Sequence, residues 1–356
     1  MFEASCSSAK LIVNFLSCLV TSTNQADTGI KRQQIATIYV TDSNVTFRVQ
    51  GLVKQSQASV VINRESFTKL KCEDLDDGLC LNLTIFLECL NVLGASNLAS
   101  TRVEMSYDDA EAVFTLELEE NGVQSLCAIP GSIAGDDEGN DFLVDAFNNG
   151  TVVTKAIVKS FFLRDAISEL ASINGATSCT IKITNDRLEI SAVGSCDECI
   201  VDLPRSQEVF ISLECDMSKC YTRTYSIWVF LNAMKGLEIA NETCITINDG
   251  GILAIQHQCV EPGGGEPNYI DFVLASLEDA ETSESENDSE DERNRSRRES
   301  EIERKRRRLS GVESYNRNTT SADRQHSSGR KSYSNQPQAT FDDYSDDDTE
   351  GEEGIY

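Results

Sequence analysis

The chain has 356 residues and carries 31 Lys and Arg against 59 Asp and Glu, which gives a formal net charge of −28. This charge excludes binding to nucleic acid through the average charge of the protein, because DNA is itself a polyanion. Any contact with DNA must use a local basic face or a partner protein.

The sequence pattern of the first half of the chain predicts a helix, a group of strands, a second helix and a second group of strands, in that order. Residues 2–5 predict a short strand, and Ser7–Val20 has the pattern of an amphipathic helix. Alternating segments then predict strands at residues 35–40, 45–50, 57–63 and 66–72. The clearest helix is predicted over Leu81–Gly94, where leucines and Phe86 recur at helical spacing. Further strands are predicted at residues 102–107, 113–119 and 122–129.

The second half repeats this order after a Gly- and Asp-rich segment, Pro130–Asp141, which predicts a linker. Helices are predicted at Phe161–Ile173 and Arg223–Lys235. Strands are predicted at residues 152–160, 178–184, 188–193, 199–203, 208–214, 243–248, 251–258 and 268–277. We therefore predict an α+β protein with an internal duplication: domain 1 at 1–130, a connecting linker at 131–150 and domain 2 at 151–279. Residues 280–356 have little to bury and are predicted to form a disordered charged tail.

Cysteine usage indicates an intracellular protein. The thirteen cysteines are an odd number spread through the predicted helices and strands, which favours reduced thiols in the cytosol or nucleus. An alternative is that the apolar run Leu11–Val20 acts as a signal peptide. Polar residues interrupt that run and a small-residue cleavage site is missing, so we do not expect secretion.

Three segments resemble the Rad-one family of checkpoint sliding-clamp subunits, which are relatives of the proliferating cell nuclear antigen. They are LNLTIFLECLNVLG at Leu81–Gly94, LELEENGV at Leu116–Val123 and LRDAISEL at Leu163–Leu170. The resemblance runs in order over residues 1–279. It implies two similar DNA-clamp domains, each with an antiparallel sheet outside and two helices inside.

The resemblance also implies a function. Three such chains would close a ring around double-stranded DNA, and the other two would be subunits of the Rad-nine and Hus-one types. A clamp loader would place the ring at damaged DNA in the nucleus, where it would support activation of the checkpoint kinase and recruit repair enzymes. The implied role is non-enzymatic and needs no cofactor.

Basic residues on the predicted helices are the candidates to face DNA within such a ring, through phosphate contacts that carry no sequence information. They are Lys10, Lys159, Arg164, Arg223 and Lys235. The helix at Leu81–Gly94 carries no basic residue, so we expect weak affinity of this chain alone for DNA. The alternative is that all five are ordinary solvated surface charges.

Two further surfaces follow from the same resemblance. The linker corresponds in position to the loop where clamps bind client peptides, so Asp136, Asp137 and Glu138 are candidates to contact a client or the loader. The alternative is a plain acidic linker. Strands at residues 122–129 and 208–214 are predicted to be the edges at which neighbouring subunits extend the sheet.

The tail carries candidate regulatory residues. A compact basic cluster favours nuclear import and consists of Arg304, Lys305, Arg306, Arg307 and Arg308. Serines surrounded by acidic residues, or next to the basic cluster, are candidate phosphorylation sites: Ser283, Ser285, Ser289 and Ser310. The alternative is a charge-balanced solvated tail.

Metal and nucleophile motifs are weak. Cys196, Cys199, Cys215 and Cys220 approach the spacing of a four-cysteine zinc site, but the second pair has a gap of four residues, so we predict free thiols and no metal. His257 lies in a predicted strand without a nucleophile signature nearby, and we expect it to be structural.

Two alternative functions stay open. One is a metal-dependent 3′→5′ exonuclease, an activity credited to members of the family; its candidate carboxylates are Asp74, Asp76, Asp77, Glu117 and Glu119. Glu117 and Glu119 share one solvated strand face, and no ordered set of carboxylates with a base is evident, so we predict no catalytic residue. The other is a homotrimeric replication clamp, which the segments LELEENGV and LRDAISEL disfavour.

Overall fold

The computed structural model describes residues 2–21, 34–51, 55–72, 78–108, 110–135, 141–215, 219–261 and 263–277. The helices are α1 Ala9–Leu19, α2 Leu83–Leu90, α3 Phe142–Asn149, α4 Ser160–Ala171 and α5 Ile227–Ala233, with short 3-10 turns at Arg64–Ser66, Ala95–Asn97 and Met234–Glu238. The strands are β1 Phe2–Cys6, β2 Ile35–Val40, β3 Asn44–Gln50, β4 Ser56–Asn63, β5 Lys69–Cys72, β6 Leu79–Asn82, β7 Arg102–Asp108, β8 Val113–Glu120, β9 Val123–Ile133, β10 Val152–Lys159, β11 Ser178–Ile183, β12 Arg187–Val193, β13 Glu198–Pro204, β14 Phe210–Cys215, β15 Tyr221–Ser226, β16 Glu242–Asn248, β17 Leu253–Cys259 and β18 Asn268–Leu274. Among these elements, no helix has the length and hydropathy needed to cross a membrane.

The strands form two sheets of antiparallel neighbours. Fourteen join in the order β14-β10-β16-β17-β18-β4-β3-β2-β6-β9-β8-β7-β1-β5, and four in the order β13-β12-β11-β15. Each half of the described chain contributes nine strands, with one helix after its first strand and another after its sixth. The predicted α+β fold with an internal duplication is therefore confirmed, whereas the domain boundaries stay a prediction.

The two halves are joined by direct pairing of β4 with β18. Six residue pairs form this ladder, from Val61 opposite Tyr269 to Ser56 opposite Leu274. Side chains reinforce one end: the backbone N–H of Asn63 donates to Asn268 Oδ1 (2.7 Å), and Ser66 Oγ donates to Glu261 Oε1 (2.6 Å). The Asn268 amide in turn donates to the same Glu261 oxygen at 3.1 Å. One sheet thus runs through both halves of the chain.

The start of helix α2 is determined by a local capping hydrogen bond. The side chain of Asn82 accepts a hydrogen bond from the backbone N–H of Ile85 (3.1 Å), and this cap starts the helix at Leu83. Leu83, Phe86 and Leu90 are buried, and Phe86 packs edge-on against Phe114. The prediction of a helix from Leu81 is wrong at its start, because residues 79–82 pair with β2 and β9 as strand β6.

Two other predictions differ from the structure. The helix predicted at Arg223–Lys235 begins only at Ile227, because residues 221–226 pair with β11 as strand β15. The predicted linker contains ordered elements: strand β9 continues to Ile133 and pairs there with β6, and α3 begins at Phe142. In contrast, α4 closely matches its prediction and buries Leu163, Ile167 and Leu170.

Candidate DNA-facing surface and subunit edges

Lys10 and Lys159 are the predicted DNA-facing residues that stay exposed. Lys10 lies in the first turn of α1, where Ser8 caps the helix. Lys159 is the last residue of β10 and precedes the first turn of α4; its ammonium donates at 3.5 Å to the carbonyl of Gln207. Both side chains keep donors available to a phosphate, so they remain candidates for DNA contact.

Arg164 and Lys235 instead bind backbone carbonyls of this chain. The Arg164 guanidinium donates twice to the carbonyl oxygen of Leu237, at 3.1 and 2.7 Å, and so ties α4 to the 3-10 turn Met234–Glu238. The Lys235 ammonium donates to the carbonyl of Val20 at the end of α1, and burial lowers the pKa of Lys235. These cations therefore connect elements of the fold, which weakens their candidacy for phosphate contact.

Arg223 lies on a strand, which corrects its predicted place on a helix. It stands in β15 opposite Ile181, and its guanidinium donates to the carbonyl of Thr222 at 3.0 Å. The guanidinium packs directly against Gly251, which has a φ of +78°: a Cβ there would lie 2.7 Å from Arg223 Nε. Glycine is required at this position both for the backbone conformation and for the close approach.

The exposed helix surface is not basic overall. Exposed carboxylates on the helices and the 3-10 turn after α5 offset the cations: Glu88, Asp165, Glu169 and Glu238. Exposed aromatic residues also lie there, with Phe161 at 64% and Trp228 at 47% of full exposure. Since phosphate contact depends on cationic side chains, this surface supports the expectation of weak DNA affinity for the chain alone.

Strands β9 and β13 present free edges. Residues 123–130 of β9 pair with β8 on one side, and in the described chain no strand pairs along the other side of residues 123–129. Among the described strands, β13 ends its sheet and pairs only with β12. Large apolar side chains are exposed on both, with Leu126 at 69% and Ile200 at 57%. An exposed apolar edge strand is a template for pairing with another chain.

The internal duplication explains why the edges of β9 and β13 are suited to pair with each other in neighbouring chains. The paired strands β4 and β18 are the fourth strand of the first half and the ninth of the second. Strand β9 is the ninth of the first half and β13 the fourth of the second. The free edges are thus the counterparts of the two strands that join the halves, and they suit head-to-tail addition of similar chains.

Both strands that were predicted as subunit edges lie at a sheet edge in the described chain, and their role in subunit contact stays a prediction. The strand predicted at residues 122–129 is a free edge, and β14, which covers the strand predicted at 208–214, ends the larger sheet beside β10. Sequence reasoning missed β13 as an edge. Its pattern offered a signal, because no residue of β13 is fully buried and its residues alternate between exposed and half-buried.

The end of the linker is anchored to the sheet. The Asp141 carboxylate accepts hydrogen bonds from Arg48 and from Gln57 (2.6 Å), and the Arg48 guanidinium lies 4.8 Å from the centre of the Tyr39 ring. The next residue, Phe142, is exposed. Asp136, Asp137 and Glu138 lie outside the described residues. So do Asp74, Asp76, Asp77 and every candidate in the tail, namely Ser283, Ser285, Ser289, Ser310, Arg304, Lys305, Arg306, Arg307 and Arg308.

His257 is part of a buried hydrogen-bond chain. Its Nε2–H donates to the carbonyl of Ala233 (2.8 Å), while Nδ1 accepts from the hydroxyl of Thr243 (2.9 Å), which also bonds Ser160 Oγ (2.8 Å). Burial lowers the pKa of His257 to about 4. A neutral imidazole with both nitrogens used connects α4, β16, β17 and α5, which is a structural role.

The four cysteines considered for zinc do not gather. Cys215 Sγ lies 3.7 Å from the carbonyl of Ile183, and Cys220 Sγ lies 3.7 Å from Thr222 Oγ1. Within the ranges that the structure describes, no group of three or more His, Cys, Asp or Glu side chains is placed to hold a metal. Glu117 and Glu119 lie exposed on β8, opposite Glu104 and Arg102 of β7.

Comparisons with known proteins agree with this architecture. The family model described as "Repair protein Rad1/Rec1/Rad17" matches residues 1–259. The human cell cycle checkpoint protein RAD1 is 24% identical over 259 residues, and the mouse protein 25%; each match covers 72% of this chain and 89% of the relative. Solved structures with the same fold include two proliferating cell nuclear antigens. The one from Entamoeba histolytica has a TM-score of 0.60 and 14% identity, over 77% of this chain and 98% of that one. The one from Thermococcus kodakaraensis has a TM-score of 0.59 and 16% identity, over 78% of this chain and 100% of that one.

Proposed function

Because the chain belongs to the Rad1/Rec1/Rad17 family of repair proteins, we propose that it is a non-enzymatic subunit of a DNA-encircling checkpoint clamp in the nucleus. The proposed ring is a heterotrimer with Rad-nine-type and Hus-one-type subunits. A clamp loader places it on double-stranded DNA at sites of damage, and the loaded ring supports checkpoint-kinase activation and recruits repair enzymes. The fold shared with proliferating cell nuclear antigens supports the clamp architecture.

The observation that carries the proposal is the match between the internal junction and the free edges. The chain already joins two similar halves by pairing a ninth strand with a fourth strand. Its free ninth strand, β9, and free fourth strand, β13, allow the same pairing with one neighbour on each side. A subunit with two such edges takes two neighbours, and a closed ring of such subunits pairs every β9 edge with a fourth-strand edge of the next chain.

Charge favours different neighbours over copies of the same chain. Exposed acidic residues lie beside the β9 edge at Glu117 and Glu119 and on the β13 edge at Glu198, whereas Asp202 of β13 is paired with Arg187 at 2.8 Å. Pairing β9 of one copy with β13 of another brings two acidic edges together, and like charges in contact weaken association. Partners with more basic edges remove this repulsion, which supports a heterotrimer.

The proposed DNA contacts of this subunit are few. Lys10 and Lys159 are the proposed phosphate contacts, and the partner subunits supply most of the positive charge around the DNA. We further propose that Asp136, Asp137 and Glu138 contact a client or the loader. For the tail, we propose that residues 304–308 direct nuclear import and that phosphorylation of Ser310 weakens it. Deletion of 304–308 with unchanged nuclear localisation would contradict the import proposal.

The decisive experiment is the native mass of the tagged chain purified from its own cells. Two different clamp-like chains at equal stoichiometry are the expected result. The variants Leu126→Asp and Ile200→Asp should each lose one neighbour, because each places a charge on one free edge. Val260→Asp, at an exposed apolar position outside both edges, is the matched control and should retain both. A lone monomer or a homotrimer of the wild-type chain would contradict the proposal.

The exonuclease alternative needs a separate test. The purified chain and its complex are incubated with 3′-labelled DNA and Mg²⁺ or Mn²⁺, beside the variant carrying both Glu117→Gln and Glu119→Gln. We expect no cutting above background from any sample. Cutting by the wild-type chain that disappears in the double variant would contradict a non-enzymatic role.

A further inference from the structure

The second half of the chain presents two large aromatic side chains on its helices. Phe161 of α4 is 64% exposed, and Trp228 of α5 is 47% exposed. The Phe161 ring meets the half-buried Phe162 edge-on, with ring centroids 5.6 Å apart, so Phe162 supports it and leaves most of it in solvent. Exposed aromatic rings leave apolar area uncovered, which favours a partner that covers them.

The internal duplication shows which surface these aromatic residues share. Helix α4 follows the first strand of its half, as α1 does, and α5 follows the sixth strand, as α2 does. In these four helices the first and fourth residues are buried, and the second is exposed or half-buried. The second residue is Lys10 in α1, Phe161 in α4, Thr84 in α2 and Trp228 in α5. Phe161 therefore holds the position that Lys10, a proposed phosphate contact, holds in the first half.

The charges around the two aromatic residues favour contact with bases over contact with phosphates. Asp165 and Glu169 are exposed on α4, and Glu238 is exposed after α5. These carboxylates repel phosphates, whereas a base is uncharged and stacks on an aromatic ring whatever the sequence. Lys159, two residues before Phe161, is exposed and can hold the phosphate next to a stacked base.

We propose that Phe161 and Trp228 bind single-stranded DNA by stacking on its unpaired bases. In double-stranded DNA each base is already stacked between its neighbours, so it offers no free face to these rings. The inference rests on the proposed function, because a DNA-encircling ring is what brings DNA to this helix surface. It adds a ligand to that function, namely a stretch of single strand within the ring.

The fluorescence of Trp228 provides the first test, because it is the only tryptophan of the chain. The full chain is titrated at low salt with oligothymidine of about 16 nucleotides, and separately with a blunt duplex of the same length. Oligothymidine should quench the tryptophan fluorescence, and the duplex should leave it almost unchanged at the same concentrations. Equal quenching by both, or no quenching by oligothymidine, would contradict the proposal whatever the variants do.

Substitutions then separate stacking from simple apolar contact. Anisotropy of fluorescein-labelled oligothymidine should show about tenfold weaker binding for Phe161→Leu and for Trp228→Leu, which keep an apolar side chain but remove the ring. Phe161→Tyr and Trp228→Phe keep a ring and should bind nearly as tightly as wild type. Phe142→Leu, at an exposed phenylalanine on α3, is the matched control and should bind as wild type. Wild-type affinity in both leucine variants of the aromatic surface would refute stacking.

A further measurement separates this inference from the proposed function. The tagged chain carrying both Phe161→Leu and Trp228→Leu should still be purified with two different clamp-like chains, because neither residue lies on β9 or β13. Wild-type affinity of that assembly for oligothymidine would refute the stacking site and leave the ring in place. A lone wild-type chain whose Trp228 fluorescence is quenched by oligothymidine would keep the stacking site and contradict the ring instead.

Discussion

Strands β4 and β18 and strands β13 and β9 hold equivalent positions in the two halves of the chain, yet their surroundings differ. The first two are paired along six residues and reinforced by hydrogen bonds among Asn63, Ser66, Glu261 and Asn268. The other two carry exposed apolar side chains and leave one edge free. One strand position therefore supports folding in one half and presents an edge for association in the other. Substitutions at the junction should therefore change stability, and substitutions at the free edges should change binding.

The largest loss of stability is expected from Phe272→Ala. Phe272 is almost fully buried on β18, opposite Ala58 of β4, and its ring packs edge-on against His257. Truncation of a buried Phe lowers the free energy of unfolding by about 3–5 kcal/mol, through lost contacts and the cavity left behind. Urea unfolding measures the change. Val260→Ala, at an exposed site, should change it little; an equally small effect of Phe272→Ala would show that the junction is not part of the core.

The next largest effect is a dependence of stability on pH. It comes from His257 on β17, the strand that pairs with the junction strand β18. The pKa of His257 falls from 6.5 in the unfolded chain to about 4 in the folded one, so the unfolded state binds more protons between these values. Stability should therefore fall by about 3 kcal/mol as the pH is lowered through this window. Asp271 of β18 acts in the opposite direction, because burial raises its folded pKa to about 6 and the folded state then takes up the proton.

Unfolding titrations at a series of pH values separate the two groups. Replacing the carboxyl in Asp271→Asn should make the acid-induced loss of stability steeper. Replacing the imidazole in His257→Gln should make the loss shallower, whatever its effect on stability at neutral pH. Unchanged slopes in both variants would mean that neither group has a shifted pKa.

A smaller loss is expected from Asn268→Ala. The Asn268 side chain accepts from the backbone of Asn63 and donates to Ser66 across the junction, and it also donates to Glu261 of its own half. Its removal takes one hydrogen bond from each of three half-buried groups and should lower the free energy of unfolding by about 1–3 kcal/mol. The conservative variant Asn268→Asp keeps the acceptor for Asn63 and tests whether the donor side matters, because its carboxylate faces Glu261. If Asn268→Ala unfolds at the wild-type urea concentration, the cluster does not reinforce the junction.

The smallest effect on stability is expected at the free edges. Leu126→Asp and Ile200→Asp change side chains that are mostly in solvent, so the free energy of unfolding should stay within about 0.5 kcal/mol of wild type. Urea unfolding of the isolated chain is the measurement. Such variants can then serve in binding experiments as folded proteins, and a large destabilisation would instead place these side chains in the core.

Much of the fold could be predicted from the sequence, because local patterns determine it. Helix α4 follows a helical apolar pattern over most of its length, and strands such as β11 and β16 alternate between buried and half-buried residues. Predictions failed where distant pairing overrides local pattern. Residues 79–82 continue the apolar run of α2 but pair with β2 and β9, and residues 221–226 pair with β11. Helix α3 was missed directly after an acidic, Gly-rich segment, because it is short and buries only Leu143.

The candidate site was less predictable than the fold. The sequence shows which residues are basic but not which backbone carbonyls their side chains reach. The partners of Arg164 and Lys235 lie 73 and 215 residues away along the chain. The β13 edge is similar: its strand was predicted, but its position at the end of a sheet depends on the order of four strands. The spacing of residues along the chain therefore does not predict these long-range partners or the position of a strand in its sheet.

The continuous ladder between β4 and β18 has a mechanical consequence. Bending the chain at this point would have to break backbone hydrogen bonds of a six-residue ladder together with the side-chain bonds at its end. The two halves should therefore move as one stiff body. In the ring proposed above, compliance would be concentrated where separate chains meet, so a gap wide enough to admit DNA would open between subunits and leave each subunit almost undeformed.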